Sequence, residues 1–347
     1  MSIGIGIVGC GMIANFHAKA INDAAGAHLV GCASRRPEPA QEFASKYDIR
    51  AFESVASMVN DSDVHAVSIC SPSGAHLDSA LAAAAAGKHV IVEKPLEITT
   101  ERCDQMIKAC DDAGVRLVVT FQSRFHESSK LMKQAVDSGR FGKITMGDAY
   151  VKWFRSQEYY DSGAWRGTWE LDGGGALMNQ AIHSVDLLLW LMGPVTHISA
   201  MTATMTHERI EVEDVAVATL KFANGALGVI EATTTAYPGA LKRIEICGSH
   251  GSAVLEEEDI HTWQFADETA DDEKIRKEMA GKTKTGGGAT DPGAIDHHGH
   301  TQLFEEAVAA INENRPSMLD GREGRRSVEV IRAIYESAKT GQIVKLG

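Results

Sequence analysis

Residues 3–14 read IGIGIVGCGMIA, an apolar β-rich run that ends in the pattern G-x-G-x-x-A. A helical stretch follows, and a second β-rich run covers residues 28–33. Strand, glycine turn, helix and strand is the order of a dinucleotide-binding fold, in which Gly9 permits the tight turn and Gly11 lets the backbone approach a pyrophosphate. Ala14 permits close packing of the helix on the strand. The stretch therefore predicts a dinucleotide site whose phosphates face the helix N-terminus.

The chain up to residue 121 alternates short apolar strands with helices. This alternation predicts an α/β fold built on a doubly wound parallel sheet. We expect residues 1–121 to form an N-terminal Rossmann dinucleotide-binding domain. The further predicted strands are 64–70, 90–95 and 115–121, and the predicted helices are 77–86 and 100–113.

After about residue 122 the pattern changes to successive strands joined by short turns, and Asn224-Gly225 is a strong hairpin signal. We expect residues 122–347 to form a C-terminal α+β domain with a large, mostly antiparallel open sheet. Residues 267–296 are polar and include Gly286-Gly287-Gly288, which predicts a mobile loop. The predicted strands are 145–154, 195–206, 214–223, 226–235, 241–247 and 252–256, and the predicted helices are 130–138, 300–314 and 322–340.

The end of the second strand indicates which cofactor is preferred. An acidic residue at this place receives the ribose hydroxyls of NAD, whereas a nearby arginine accommodates the 2′-phosphate of NADP. This chain has Ser34-Arg35-Arg36 there and no acid. A hydroxyl and guanidinium groups favour a phosphate, so we expect NADP(H) to be preferred, with NAD(H) as the alternative if both arginines only face solvent.

The apolar run 90–92 ends in Glu93-Lys94-Pro95. Ligands of open α/β sheets lie beyond the carboxyl ends of the strands, which places Lys94 at a candidate site. Taken alone, the tripeptide could equally be a solvated strand end. The polar loop 71–76 follows another strand in the same way. The predicted cofactor-binding residues are Gly9, Gly11, Met12, Ile13, Ser34, Arg35, Arg36, Ser71, Pro72, His76, Glu93, Lys94 and Gln122.

A second candidate site follows Gly173-Gly174-Gly175, where Asn179, His183 and Asp186 are spaced to share one face of a helix. Histidine is the usual proton acceptor in alcohol oxidation near neutral pH. A lone histidine in this position would more often be a core residue, but the glycines and a flanking Trp/Arg loop favour a site. The predicted substrate-binding residues are Lys94, Trp165, Arg166, Asn179 and His183; for Arg166, a surface ion pair is the alternative.

The composition narrows the classes of partner. The formal net charge of −13 argues against nucleic acid or an anionic membrane surface. Six cysteines include no C-x-x-C pair, which suits a reducing cytoplasm, and the N-terminus is typical of a strand rather than of a signal peptide. The histidines at 297–300 lack an accompanying set of ligands, so we expect no metal.

The chain resembles the Gfo/Idh/MocA family, the group of glucose–fructose oxidoreductase and inositol dehydrogenase. The resemblance covers nearly the whole chain and is carried by the G-x-G-x-x-A turn, by Glu93-Lys94-Pro95 and by the glycine-led stretch to His183 and Asp186. It implies a Rossmann domain followed by a domain whose open sheet supports a homodimer or homotetramer. It also implies that Lys94 and His183 face the nicotinamide and the substrate.

Two positions depart from the family pattern. Many sugar and inositol dehydrogenases of the family carry aspartate four residues before the histidine, where this chain has Asn179, and Ala181 replaces a frequent glycine. Asparagine can hold a substrate hydroxyl but cannot accept its proton. Proton transfer is therefore expected to depend on His183, with Lys94 hydrogen-bonded to the reacting oxygen.

The leading hypothesis is an NAD(P)-dependent oxidoreductase that transfers hydride between the nicotinamide and a hydroxyl or keto group of a sugar, polyol or inositol. A reductase of a keto-sugar, anhydro-sugar or nucleotide sugar is the alternative on the same fold. A cofactor-binding regulator without turnover is the alternative of another class. The presence of both Lys94 and His183 argues against a regulator.

Overall fold

The computed structural model describes residues 2–283, 288–289 and 297–347. The chain divides into two compact units. The first contains Met1–Gln122, Glu170–Gly173 and Asp296–Val328, and the second contains Ser123–Trp169, Gly174–Ile295 and Glu329–Gly347. Among the described residues, no helix has the length and apolar character needed to cross a bilayer.

The first unit is built on a six-stranded parallel sheet with the strand order β3-β2-β1-β4-β5-β6. Chain order reverses between β1 and β4, so this edge is the place where open α/β sheets bind ligands. The predicted parallel sheet is confirmed. Its strands are β1 (Ile3–Val8), β2 (Ala27–Ala33), β3 (Arg50–Ala51), β4 (Ala66–Ile69), β5 (His89–Val92) and β6 (Leu117–Val119).

Helices pack around this sheet, and three elements between residues 37 and 59 were not predicted. Helix α2 starts with Pro37 and Pro39, which look like loop residues, although proline is well tolerated in a first helical turn. Ala40, Phe43 and Ala44 form its buried face. The helices of this unit are α1 (Met12–Asp23), α2 (Pro37–Tyr47), α3 (Val55–Val59), α4 (His76–Ala85), α5 (Thr100–Ala113) and α10 (His298–Asn312).

The second unit contains an eight-stranded sheet with the order β13-β12-β11-β7-β10-β9-β8-β14. All neighbours are antiparallel except β7 and β10, so the prediction of a mostly antiparallel sheet is confirmed. Asn224-Gly225 forms the predicted turn between two of these strands, with Gly225 at φ +88°. The strands are β7 (Ile144–Lys152), β8 (Val195–Ala203), β9 (Val215–Phe222), β10 (Leu227–Thr233), β11 (Arg243–Gly248), β12 (Gly251–Glu256), β13 (Asp259–Phe265) and β14 (Val344–Lys345).

The helical segments of the second unit include one π-helix, Ala176–Ala181, which runs directly into an α-helix. Helix α11 (Gly321–Thr340) contributes residues to both units. The other helices are α6 (Glu127–Asp137), α7 (Gln157–Asp161), α8 (Ile182–Met192) and α9 (Ala270–Glu278).

The prediction of a loop over residues 267–296 is wrong for its first part, because Ala270–Glu278 is a helix. Thr269 and Asp272 form a capping box at its start. Asp272 is fully buried, where it accepts hydrogen bonds from Arg140 and from the Trp263 indole, and these bonds lower the pKa of the carboxyl. A polar segment was therefore wrongly interpreted as a loop. Residues 284–287 and 290–296 of the predicted loop lie outside the described residues.

A buried ion pair joins Arg124, which lies just before α6, to Asp186 of α8. The Arg124 Nε and Nη2 atoms donate to the two carboxylate oxygens of Asp186 at 2.8 and 2.6 Å, and both side chains are at most 2% exposed. The guanidinium also lies over the ring of Trp190, 5.3 Å from its centroid. Such two-pronged pairs have defined geometry, so this contact orients the helix that carries His183.

Removal of one partner should strongly destabilise the second unit, because the other charge would stay buried without compensation. We expect Asp186→Ala to lower the free energy of unfolding by about 3–5 kcal/mol, measured by urea titration. Glu273→Ala is the control, since Glu273 forms an exposed pair with Lys277 on the surface of a helix and should change stability by less than about 0.5 kcal/mol. Equal losses in the two variants would contradict this view of the pair.

Candidate active site

The glycine turn of the first unit has the predicted strand–turn–helix setting. Gly9 has φ +88°, and a Cβ atom there would lie 2.9 Å from the backbone carbonyl of Cys70. Its N–H donates to the Ala33 carbonyl at 2.8 Å. By contrast, a Cβ at Gly11 would meet no protein atom within 4 Å. Gly9 is therefore required by packing between strands, whereas Gly11 leaves open space in front of the backbone.

The start of α1 has the properties of a phosphate-binding helix terminus. Gly11 is its N-cap residue and makes no side-chain capping bond, so the first N–H groups of the helix are not satisfied by a side-chain cap. Met12 is 51% exposed and Ile13 is half-buried. These residues fit a dinucleotide pyrophosphate, which the helix dipole would also favour.

The segment after β2 presents two exposed arginines. Ser34 is half-buried, and Arg35 and Arg36 are exposed, with Arg36 at the N-cap of α2. Within the described part of the chain, neither guanidinium forms an ion pair. The nearest acid in the sequence is Glu38, in the first turn of α2. Both guanidinium groups therefore remain available for an anionic ligand.

Glu93 is buried at the end of β5, directly before Lys94. Its Oε1 atom lies 2.7 Å from Nε2 of His17, whose Nδ1 lies 2.7 Å from Ser68 Oγ. Burial opposes protonation of His17, but Cys70 and Glu93 outweigh it and raise the pKa of the imidazole to about 10. The Lys94 N–H donates to the second carboxylate oxygen at 3.2 Å. The Glu93 carboxylate thus bonds both to the buried imidazolium of His17 and to the backbone N–H of Lys94.

His300 completes a cluster that the sequence did not reveal. His17, Glu93 and His300 each bring one ligand-type atom, and these atoms lie within 4.8 Å of one another. Neither ring nitrogen of His300 has a hydrogen-bond partner among the described residues, and burial lowers its pKa to about 3. The set matches the ligand types of a zinc site. The 2.7 Å contact between His17 and Glu93 is nevertheless that of a hydrogen-bonded ion pair.

The predicted ligand loop after β4 is tied down by His76. The ring is buried, its Nε2 lies 3.0 Å from the Ser71 carbonyl and its Nδ1 lies 3.0 Å from the Pro95 carbonyl. Burial lowers the pKa of this histidine. Pro72 is half-buried beside it. In this structure His76 therefore joins the Ser71 loop to the segment after Lys94.

Gln122 follows β6 at the same edge of the sheet. Its side chain is buried, and its Oε1 has no hydrogen-bond partner among the described residues. A buried amide oxygen without a partner is costly. This oxygen could accept a hydrogen bond from a donor group of a bound dinucleotide.

In the second unit, the glycine-led helix is anchored by Glu213. Its carboxylate accepts hydrogen bonds from the N–H groups of Gly175 and Leu177 at 3.0 and 2.8 Å and from the Tyr335 hydroxyl at 3.0 Å. A Cβ at Gly174 would overlap Tyr335 Oη, and one at Gly175 would overlap the Glu213 carbonyl. These two glycines are therefore required by protein contacts.

Asn179 and His183 are the polar residues that this helix leaves accessible. From residue 172 to residue 189 every residue is buried except these two, which are half-buried. Their spacing of four places them one turn apart. The π-helical turn ends at Ala181, before His183. Asp186, predicted on the same face, is instead committed to Arg124.

Arg166 of the predicted Trp/Arg loop is held between two aromatic rings. Its guanidinium carbon lies 4.2 Å from the Tyr159 ring centroid and 4.5 Å from that of Trp165, and Nη1 donates to the Tyr159 hydroxyl at 2.6 Å. The surface ion pair considered as an alternative is absent among the described residues. Sequence patterns did not point to Tyr159, Glu213 or Tyr335, because none of them lies in a recognisable motif.

Comparisons with known proteins relate the chain to a family of oxidoreductases. Residues 3–121 match the oxidoreductase family with an NAD-binding Rossmann fold, and residues 129–254 match the GFO/IDH/MocA C-terminal domain. A levoglucosan dehydrogenase of Pseudarthrobacter phenanthrenivorans is 30% identical over 325 residues, 83% of each chain. The WlbA dehydrogenase of Bordetella pertussis, solved in complex with NADH and UDP-GlcNAcA, is 38% identical, with a TM-score of 0.89 over 100% of this chain and 99% of that chain.

A Rossmann sheet with a glycine turn of the phosphate-binding type is the architecture of a dinucleotide-binding protein, and the family match makes it an oxidoreductase. The chain belongs to the Gfo/Idh/MocA oxidoreductase family. It is thus an NAD-binding oxidoreductase whose relatives include sugar and inositol dehydrogenases, such as the myo-inositol 2-dehydrogenase of Thermotoga maritima, 31% identical over 256 residues and covering 71% of this chain and 73% of the relative.

The buried Glu213 makes the stability of the second unit dependent on pH. Burial raises the pKa of this carboxyl from 4.5 to about 7, so the folded state binds the proton more tightly than the unfolded state. Its contribution is largest below pH 4.5 and is lost as the pH rises towards 7. We expect the free energy of unfolding of Glu213→Gln, relative to the wild type, to rise by about 2–3 kcal/mol between pH 5 and pH 8.

The measurement is urea titration at several pH values. Tyr335→Phe serves as the control, since it removes one hydrogen bond to the same carboxylate but keeps the titrating group. It should lose about 1 kcal/mol and still show a pH dependence, displaced to higher pH because the hydrogen bond from Tyr335 lowers the pKa of the carboxyl. A pH-independent difference between Glu213→Gln and the wild type would refute the assignment.

Proposed function

We propose that this protein is a dehydrogenase or reductase that moves hydride between a nicotinamide cofactor and a CH–OH or keto group of a sugar-type substrate, with Lys94 and His183 as the catalytic residues. The observation that carries the proposal is the accessibility of His183 and Asn179 in an otherwise buried helix. Lys94 supports it from the first unit, because it follows β5 at the ligand-binding edge of the sheet.

In the oxidative direction, the imidazole of His183 takes the proton of the reacting hydroxyl. The Lys94 ammonium hydrogen-bonds the same oxygen and stabilises its developing negative charge. The nicotinamide, when bound, accepts or donates the hydride. Asn179 holds a neighbouring substrate hydroxyl and takes no proton, because a carboxamide is not a base near neutral pH.

The cofactor is proposed to lie along the residues already described in the first unit. Gly9, Gly11, Met12 and Ile13 would hold its pyrophosphate. Ser71, Pro72 and Gln122 would contact it further along the sheet edge. His76 and Glu93 were also predicted to bind the cofactor, but their polar atoms are engaged within the protein. We therefore propose that His76 positions Ser71 and that Glu93 positions Lys94.

Removal of either catalytic group should mainly affect the chemical step. We expect Lys94→Ala and His183→Ala to lower kcat about 100- to 10,000-fold, while the dissociation constant of the cofactor changes little. Turnover is followed by nicotinamide absorbance with a sugar, polyol and nucleotide-sugar panel. Lys108→Ala and His261→Ala are matched controls on exposed positions, and turnover near the wild-type value in either catalytic variant would disprove the assignment.

We also propose that the adenosine ribose site prefers NADP(H). Ser34, Arg35 and Arg36 offer a hydroxyl and two guanidinium groups without an acid. We expect the wild type to bind NADPH about 10-fold more tightly than NADH and the double variant Arg35→Ser/Arg36→Ser to lose this difference, since one charge-assisted hydrogen bond contributes about 1.5 kcal/mol or more. Fluorescence titration gives the dissociation constants, and equal values in the wild type would exclude the preference.

A nucleotide sugar is the second candidate for the substrate. The observation that favours it is the 38% identity, over the whole chain, to a dehydrogenase solved with UDP-GlcNAcA. A regulator that binds the cofactor without turnover is the remaining alternative. Binding of cofactor with no turnover on any member of the panel would favour that alternative.

We further propose that the enzyme works in the cytoplasm as a homodimer or homotetramer. All six cysteines are free, as suits a reducing compartment. The outer face of the second unit's sheet exposes apolar side chains that are cross-strand neighbours, with Met201 beside Val217 and Met146 beside Leu227. Exposed apolar faces of this kind mark protein contacts.

A further inference from the structure

Arg155 is a buried cation in the second unit. Only 2% of the residue is exposed. Its Nη1 donates to the carbonyls of Phe154 and Ala289, and its Nη2 donates to the Gly288 carbonyl and to Gln180 Oε1 at 2.8 Å. Among the described residues, no carboxylate pairs with it. Within the described part of the chain, the positive charge is therefore solvated by neutral groups only.

Arg166 is a second cation of the same unit, and it is half-buried. It is fixed between Tyr159 and Trp165, and among the residues that the structure describes it too has no carboxylate partner. Its Nη1 atom is used by the Tyr159 hydroxyl, whereas Nε and Nη2 donate to no described residue. The guanidinium is thus immobilised by stacking while most of its donors stay available.

Gln180 connects the two cations to the candidate substrate residue. Its amide nitrogen donates to the Tyr159 hydroxyl at 2.9 Å and to Asn179 Oδ1 at 2.6 Å, and its amide oxygen accepts from Arg155. Arg155, Arg166 and Asn179 therefore belong to one hydrogen-bonded network. The network lies entirely within the second unit.

The charges in this network are unusual for the chain. The protein has a formal net charge of −13, yet two guanidinium groups lie close together without an acid among the described residues. Burial and the charge of Arg166 both lower the pKa of Arg155. An anionic ligand would relieve this cost, because a desolvated cation is stabilised most by an opposite charge.

We propose that this network is a binding site for an anionic group of the substrate, so that the substrate is an acidic sugar derivative rather than a neutral polyol. Arg166 donates to the anion, Arg155 contributes positive charge behind it, and Gln180 sets the position of Asn179 relative to both. The inference rests on the proposed function, since it describes the substrate of the same site. The anion is either a sugar carboxylate or a phosphate, which share this chemistry.

The test is calorimetric binding to the cofactor-loaded enzyme, which does not depend on turnover. The probes are UDP-GlcNAcA, its counterpart UDP-N-acetylglucosamine, which lacks the sugar carboxylate but keeps the diphosphate, and myo-inositol. We expect Arg166→Gln to weaken UDP-GlcNAcA binding about 10- to 100-fold, as for loss of one charge-assisted contact, and Arg166→Lys to weaken it less. Arg209→Gln is the control, because Arg209 is exposed and pairs with Asp161.

The probes distinguish the source of the anion. If Arg166→Gln weakens the binding of UDP-GlcNAcA alone, the site binds the sugar carboxylate. If it weakens the binding of both nucleotide sugars equally, the site binds the diphosphate. Failure of the wild type to bind UDP-GlcNAcA, or an unchanged affinity in Arg166→Gln, would overturn the proposal. Arg166-dependent binding without any turnover would instead uphold this site and refute the proposed catalysis.

Discussion

The carboxylate of Glu213 is the constraint on which the candidate active site depends. It collects hydrogen bonds from two N–H groups at the start of the glycine-led helix and from the Tyr335 hydroxyl. A helix start leaves N–H groups without intrahelical partners, and a buried acceptor that satisfies two of them fixes where the helix begins. The helix that carries His183 is therefore anchored by a buried carboxyl that bonds to its first turn rather than to His183 itself.

The first unit uses a similar device behind Lys94. There the buried pair of His17 and Glu93 lies next to the lysine in the chain, and Glu93 accepts the Lys94 N–H. In both units a buried carboxyl group is bonded to the backbone near a candidate catalytic residue. Such groups are costly to bury unless they are hydrogen-bonded, so each keeps its backbone partners in one position. Hydride transfer needs reacting groups with a fixed orientation.

Local signals explain which parts of the fold could be predicted. Helix α5 has the predicted bounds because Thr99 caps its first turn and Gly114 ends it in the left-handed region. The α9 region was misjudged because the burial of Asp272 depends on Arg140, more than a hundred residues away. The glycine turn and the accessible His183 were found from sequence, whereas Glu213 and the network around Arg155 were not.

The sequence by itself determined the family, the two sheets and the identity of the candidate catalytic residues, because these follow from short motifs and from periodic burial. Only the tertiary structure decided which polar side chains are paired. Asp186 is bound by Arg124, whereas Arg166 has no acid among the described residues. The physical reason is that the energy of a charge depends on its burial and on its neighbours in space, which spacing along the chain does not specify.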